Sequence, residues 1–240
     1  MAYKNIHRTK KQKEIHEHDK LRSKRMEKHL DLVYKMLGYE IRREYDAEKQ
    51  RAGIDLYLKN NSWAKEKEMI IDEKASTDYT NGIDTLNTQC IELTAENNED
   101  KYGWHTDPKS KTEAYAFAFA RTQDDFVTVD AIEVYFVSKQ AIQEYMESVG
   151  IKTIQDAQLK IMQDGSPGRK TERYCNINDE CRLVLVSARK KPENPLLFCI
   201  SRERLEELSY YHVRFDELEW GSIVANEEFQ KLNADISHAA

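Results

Sequence analysis

Two periodicities divide this chain, and the change between them falls at Gly38. From about Lys10, apolar residues recur at spacings of three and four, through Leu21, Met26, Leu30, Val33, Tyr34 and Leu37. That spacing predicts a helix, and Gly38 supplies its C-terminal stop. Beyond Gly38 the period drops to two. Tyr39–Tyr45 alternates weakly and reads as a first short strand, and the polar run Asp46–Gln50 reads as a loop. Leu56-Tyr57-Leu58 and Met69-Ile70-Ile71 then read as the arms of a hairpin closed by a polar connector near 59–66. Thr88–Leu93 is a further apolar segment. Thr112–Ala120 carries Tyr115, Phe117 and Phe119 on one face and alanines on the other. This predicts a central strand with a helix lying close on the alanine side. Two later segments repeat one unit. Ile132–Val137 and Leu196–Ile200 each read as a strand ending in a serine, Ser138 or Ser201, that caps the helix after it. Thr153–Gln163 reads as a helix, Cys181–Ala188 as a strand, and 226–233 as a last helix before a tail. Strands interleaved with helices predict α/β layering on a mixed sheet.

The hairpin carries the chemistry. Side chains on a strand alternate faces, so Ile70, Asp72 and Lys74 share one side while Met69, Ile71 and Glu73 share the other. If Leu58 pairs near Glu68 or Met69, Asp55 falls opposite Ile71 or Asp72. Two carboxylates and an ammonium then converge. Holding like charges together at the end of an apolar hairpin is costly, because they repel and each ion loses hydration. A divalent cation offsets that cost, since Mg²⁺ favours one or two carboxylates, several waters and substrate phosphate oxygens.

An Asp at the start of one strand and an acid-x-Lys tripeptide ending the next, here Gly53-Ile54-Asp55 and Asp72-Glu73-Lys74, resembles the PD-(D/E)XK nuclease superfamily. The resemblance runs over about residues 20–140 and is similar in wording to small bacterial and phage nuclease-like proteins. Ile54 stands where that family usually has proline. The resemblance implies a restriction-endonuclease-like core: a mixed β-sheet flanked by helices, with the first helix preceding the catalytic hairpin. It also implies that Asp55 and Asp72 bind Mg²⁺ or Mn²⁺, with the Glu73 backbone carbonyl as a further ligand, and that Lys74 positions the attacking water. Gln50 matches the family pattern and would orient a phosphate or a metal-bound water. Glu92 corresponds to a recurrent strand glutamate and is a candidate metal ligand, with a structural salt bridge as the alternative. Such folds often take one more acid from the first helix, where Glu27 or Asp31 lies near the apolar stripe; a surface position is the plainer reading of Glu27.

Charged residues make up 33% of the chain, so tripeptides of this kind also arise by chance. Glu99-x-Lys101 and Asp107-x-Lys109 fit the same pattern. Only Asp72 follows an apolar run and has an upstream Asp at hairpin distance.

The formal charge of −6 is unevenly spread, because residues 1–28 hold ten Lys or Arg against four Asp or Glu. A basic arm on an acidic body fits contact with a polyanion through counterion release, or else a solvated helix face. Four cysteines without C-x-x-C spacing argue against structural zinc and read as reduced, mostly buried thiols. No apolar run reaches membrane-spanning length and the N-terminus lacks a signal-peptide core, so a cytoplasmic protein is expected. The segment Gly165–Lys170 lacks the P-loop frame. The polar stretch from Ala75 to Gly82 reads as a substrate-contacting loop. Tyr102 and Trp104 are candidates to stack on bases or to pack at a strand start.

The chain is thus expected to hold a basic N-terminal helical arm (1–20), one nuclease-like α/β domain with a C-terminal elaboration (21–225) and a C-terminal helix and tail (226–240). The expected activity is Mg²⁺-dependent hydrolysis of DNA phosphodiesters, with a homodimer as a possible means of cutting both strands. The alternatives are a non-catalytic nucleic-acid-binding or interaction protein of the same fold, or a nuclease acting on RNA.

Overall fold

The structure, a computed structural model, describes residue 24 and residues 26–60, 68–78, 87–94, 102–103, 105–122, 129–167, 172–186, 194–216 and 219–224. The expected basic arm and C-terminal helix lie outside these residues.

Helix α1 covers residues 26–36, and Met26, Leu30, Val33 and Tyr34 form its buried stripe. Gly38 ends it in the left-handed region, at φ 81°, where a residue without a Cβ is least strained. Strand β1 (Tyr39–Arg43) follows, then α2 (Ala47–Arg51), β2 (Leu56–Asn60) and β3 (Glu68–Asp78). The polar run Asp46–Gln50 is expected to be a loop. It is a short helix instead, because the Asp46 side chain accepts from the Glu48 and Lys49 N–H groups and so satisfies its first turn. β3 also runs four residues past Lys74, into the stretch expected to be a loop. The parallel partner β5 (Ala114–Thr122) continues the ladder as far as Asp78.

The remaining elements are β4 (Thr88–Thr94), β6 (Val129–Ser138), α3 (Lys139–Ser148), α4 (Ile154–Gln163), β7 (Ser166–Pro167), β8 (Arg173–Asn176), β9 (Cys181–Leu185), β10 (Leu196–Ser201), α5 (Arg202–Leu208), β11 (Tyr211–Asp216) and β12 (Glu219–Val224). A seven-stranded mixed sheet has the order β1-β2-β3-β5-β6-β11-β12, so β5 is central as its pattern predicts. A second, five-stranded sheet, β4-β10-β9-β8-β7, was not foreseen. Ser138 and Ser201 cap α3 and α5, accepting from the Ala141 and Arg204 N–H groups.

The alternation of β5 sets the layers. Ala114, Ala116, Ala118 and Ala120 face the cluster built by α1, β1, β2 and β11, where their small side chains admit the helix closely. Tyr115, Phe117 and Phe119 face the other way, into the cluster shared with β4, β9, β10, α3 and α4. Full burial of each such aromatic contributes about 1.5–3 kcal/mol. The seven-stranded sheet is therefore covered on both faces, by α1 on one and by the second sheet and its helices on the other.

Cysteine pairing departs from the sequence reading. Cys90 on β4 and Cys199 on β10 face each other in register, with Cα atoms 4.0 Å apart, and form a disulfide. Cys175 and Cys181 are free and buried, as expected. Among the described residues no helix is long and apolar enough to cross a membrane.

Candidate active site

The hairpin register is the one the apolar positions allow. Leu58 pairs with Met69 and Leu56 with Ile71, so Asp55, one residue earlier, lies across from Asp72. The Asp55 backbone N–H donates to the Ile71 carbonyl at 3.0 Å, and its carbonyl accepts from Glu44 N–H at 2.9 Å. The Asp55 carboxylate is fixed as well. Its Oδ2 accepts from the Glu73 N–H at 2.8 Å.

Asp72 is wholly buried. Lys74, two residues on and on the same face, donates its ammonium to Asp72 Oδ1 and lies 3.5 Å from the Glu73 carbonyl oxygen. Asp72 Oδ2 has no hydrogen-bond partner. Burial pushes the Asp72 carboxyl up to about 7; Lys74 pulls it down and the neighbouring Asp55 pushes it further up. A carboxyl so placed is poised to take a cation, because one of its oxygens is both desolvated and unmatched.

Gly53 brings the first acid in. It sits at φ 75° and a Cβ there would fall on the Thr112 hydroxyl, which donates to the Gly53 carbonyl at 2.7 Å. The backbone at this glycine thus makes a close approach to the segment leading into β5. Lys111 N–H adds a bond to the Ala52 carbonyl at 2.9 Å.

The other sequence candidates are distributed as follows. Glu73 shares the face of α1, where its carboxylate accepts from Tyr34 Oη at 2.7 Å and from Arg43 Nη1 at 2.7 Å. Arg43 also holds Asp31 at 2.8 Å. Burial pushes the Glu73 carboxyl up against the pull of Arg43. Its side chain is thus structural, and only its carbonyl lies at the site. Glu27 belongs to α1 on that same opposite face and meets this network through its backbone carbonyl, which accepts from Arg43 Nη2 at 3.0 Å. Asp31, the other helix acid, is engaged by Arg43. Glu92 lies on β4 of the second sheet. Gln89, Ile91 and Leu93 turn towards the core, while Glu92 shares the opposite face with Cys90. It is Gln89 that reaches the hairpin, donating to the Lys74 carbonyl at 3.4 Å and to Ala118 O at 2.8 Å. Gln50 is exposed, with its amide donating to the Glu44 carbonyl at 2.9 Å, one link from the Asp55 backbone. Among the described residues no three His, Cys, Asp or Glu side chains converge as a ready set of metal ligands. The donors brought together are the Asp55 and Asp72 carboxylates and the Glu73 carbonyl. A hard cation that retains water and binds substrate oxygens suits such a set.

The competing tripeptide is resolved by its backbone. Asp107 Oδ1 accepts from Lys109 N–H at 2.8 Å, so Asp107-x-Lys109 closes a turn and presents no shared strand face. Glu99 and Lys101 lie outside the described residues, as does Trp104, whereas Tyr102 is 47% exposed and bridges Thr94.

Three residues at the site escaped sequence reasoning. Tyr115 pairs with Asp72 across the parallel ladder, and its hydroxyl shares a hydrogen bond with His105 Nδ1 at 3.0 Å. Burial, with a smaller push from Lys139, pulls His105 down to about 3, so this imidazole is neutral. Lys139 feels the charges of Asp107 and Asp72, and burial lowers its ammonium. Nothing in the local pattern of His105 signals this placement. Lys139 does carry a signal: a cation at the first position of a helix, where anions are favoured. No family model matches the chain, and no curated protein matches it.

Proposed function

We propose that this protein is a metal-dependent endonuclease that hydrolyses DNA phosphodiesters at Asp55, Asp72 and Lys74. The observation that carries the reading is the convergence of these three groups on one sheet face, with Asp72 Oδ2 buried and unmatched. A helix preceding a hairpin, with the first acid on one arm and the tripeptide on the other, also supports a restriction-endonuclease-like core.

Mg²⁺ or Mn²⁺ held by Asp55, Asp72 and the Glu73 carbonyl would supply Lewis acidity and an activated water. The chain's own residues do the rest. Glu73 N–H fixes the Asp55 carboxylate. Asp72 anchors the Lys74 ammonium, so that a compact cation stays where charge develops on the scissile phosphate. His105 and Tyr115 support the wall behind Asp72 without adding charge. The basic segment 1–28 provides non-specific attraction to a polyanion. Cutting both strands of a duplex calls for two such sites, which a homodimer provides.

Purified protein with Mg²⁺ or Mn²⁺ is expected to cleave at least one of supercoiled, linear, single-stranded or branched DNA. Asp72→Ala and Lys74→Ala should each abolish cleavage while the fold persists by circular dichroism. Cleavage that survives both changes removes the assignment, and faster cutting of matched RNA moves the substrate class. One observation favours a second reading, a binding protein that keeps the frame without the chemistry: Asp72 is wholly buried with Oδ1 taken by Lys74. Calorimetric titration with Mn²⁺ separates the two, since a retired site takes up no metal.

A further inference from the structure

Lys139 opens α3 directly after the Ser138 cap. Its backbone N–H donates to the Glu113 carbonyl at 2.9 Å, and Glu113 N–H donates to the Ile70 carbonyl at 3.0 Å. These bonds set the first residue of α3 over the ends of β3 and β5 from which Asp72 and Tyr115 project. The side chain is half-buried. Asp107 and Asp72 are the carboxylates that act on it electrostatically, yet among the described residues it forms no ion pair or side-chain hydrogen bond. Two costs fall on this ammonium. It has lost hydration without gaining a partner, and it stands in the first turn of a helix, at the positive end of the macrodipole. The attraction of Asp107 and Asp72 offsets these costs only in part, since neither carboxylate forms an ion pair with the ammonium.

Lys74 cannot fill the same role, because its ammonium is committed to Asp72. Two carboxylates facing a phosphodiester repel it, and one lysine already paired with a carboxylate leaves that repulsion standing. A second, uncommitted ammonium on the same side balances the two acids. We propose that Lys139 is the second cation of the site and binds a non-bridging phosphate oxygen of the nucleic-acid backbone, a proposal that rests on the nuclease reading. Lysine suits this contact as a point charge that needs no fixed fork geometry. The site then divides its cations: Lys74 serves the reacting centre and Lys139 the grip on the strand.

The test is binding of a short fluorescent duplex to the full chain in EDTA, where no cleavage occurs, followed by anisotropy across a salt series. Wild type, Lys139→Met, Lys139→Arg and Lys152→Met are compared. Lys152 is exposed and lies beyond the far end of α3, about 15 Å along a ten-residue helix. Loss of one phosphate contact lowers the slope of log affinity against log salt by about 0.9 on duplex, or about 0.7 on a single strand. That drop is expected for Lys139→Met alone. Because the native ammonium is unpaired, Lys139→Met should melt no lower than wild type, and Lys139→Arg keeps the contact should the apolar variant fail to fold. If wild type cuts DNA with Mg²⁺ and folded Lys139→Met keeps the wild-type slope, the role of Lys139 is overturned and the nuclease reading stands. If wild type neither binds nor cuts DNA, both fall.

Discussion

Replacing Asp72 with asparagine should make the protein more stable above neutral pH while removing the proposed nuclease activity. The carboxyl rises from 3.8 to about 7 on burial, against the pull of Lys74. At about 1.4 kcal/mol per pH unit, that rise corresponds to about 4 kcal/mol of stability forgone when the group is ionised. The sign follows from linkage. Between about pH 4 and pH 7 the folded state binds the proton that the unfolded state has released, so stability falls as pH rises through this window and levels off above it. Asparagine has no such proton and removes the slope. The pull of Lys74 on the carboxylate is already contained in the rise to about 7, so replacing the ionised group by a neutral amide recovers the whole of it. The net expectation at pH 8 is a stabilisation of about 4 kcal/mol that shrinks steadily towards pH 5. Urea unfolding of both proteins at pH 5, 6, 7 and 8 measures it. A difference that does not change with pH, or that grows towards acid, refutes the argument that Asp72 is held in the fold against its charge.

Other consequences can be checked with the same purified protein. Gly53→Ala places a side chain at φ 75° and displaces Thr112; a loss of about 2–4 kcal/mol is expected from left-handed strain and the broken bond together, read by urea midpoint. Arg43→Ala leaves Glu73 and Asp31 without their cation on the α1 face and should cost about 3–5 kcal/mol, with unfolding at lower temperature as the readout. Alkylation under denaturing, non-reducing conditions should label two cysteines, Cys175 and Cys181, because Cys90 and Cys199 are joined. Since that bridge closes 109 residues, adding reductant should lower unfolding stability by about 2–4 kcal/mol. Four labelled cysteines, or no effect of reductant, would remove the disulfide.

The site was legible in the sequence wherever local alternation fixes the outcome. Leu56, Leu58, Met69 and Ile71 must all reach one apolar layer, and the observed register puts all four on one face, so the count that leaves Asp55 opposite Ile71 or Asp72 closes on Asp72. The alanine face of β5 gave away the nearness of α1 for the same reason. Contacts between distant segments left no such trace. Tyr34 and Arg43 meet Glu73 because α1 and β1 fold back over β3, and nothing in their own neighbourhoods names the partner. Glu92 shows the limit most plainly. Its strand was recognised, but a strand carries no mark of the sheet it will join, and β4 pairs with β10 instead of the hairpin's sheet. The helix α2 spans five residues, too short for any periodicity to register, and only the Asp46 cap hinted at it.

Both faces of β3 carry charges, and they are not interchangeable. Asp72 and Lys74 face Tyr115 and β4, while Glu73 faces Tyr34 and Arg43 across the sheet. Removal of a single residue between Glu68 and Ile71 would turn the strand over. It would deliver Glu73 to the Tyr115 side and send both members of the Asp72–Lys74 pair into a layer of alanines and helix. The connector at 61–67, by contrast, can change length without altering which side chain faces which. Laboratory libraries or natural drift should therefore find length variation there acceptable and a frame of seven residues, 68–74, closed to it.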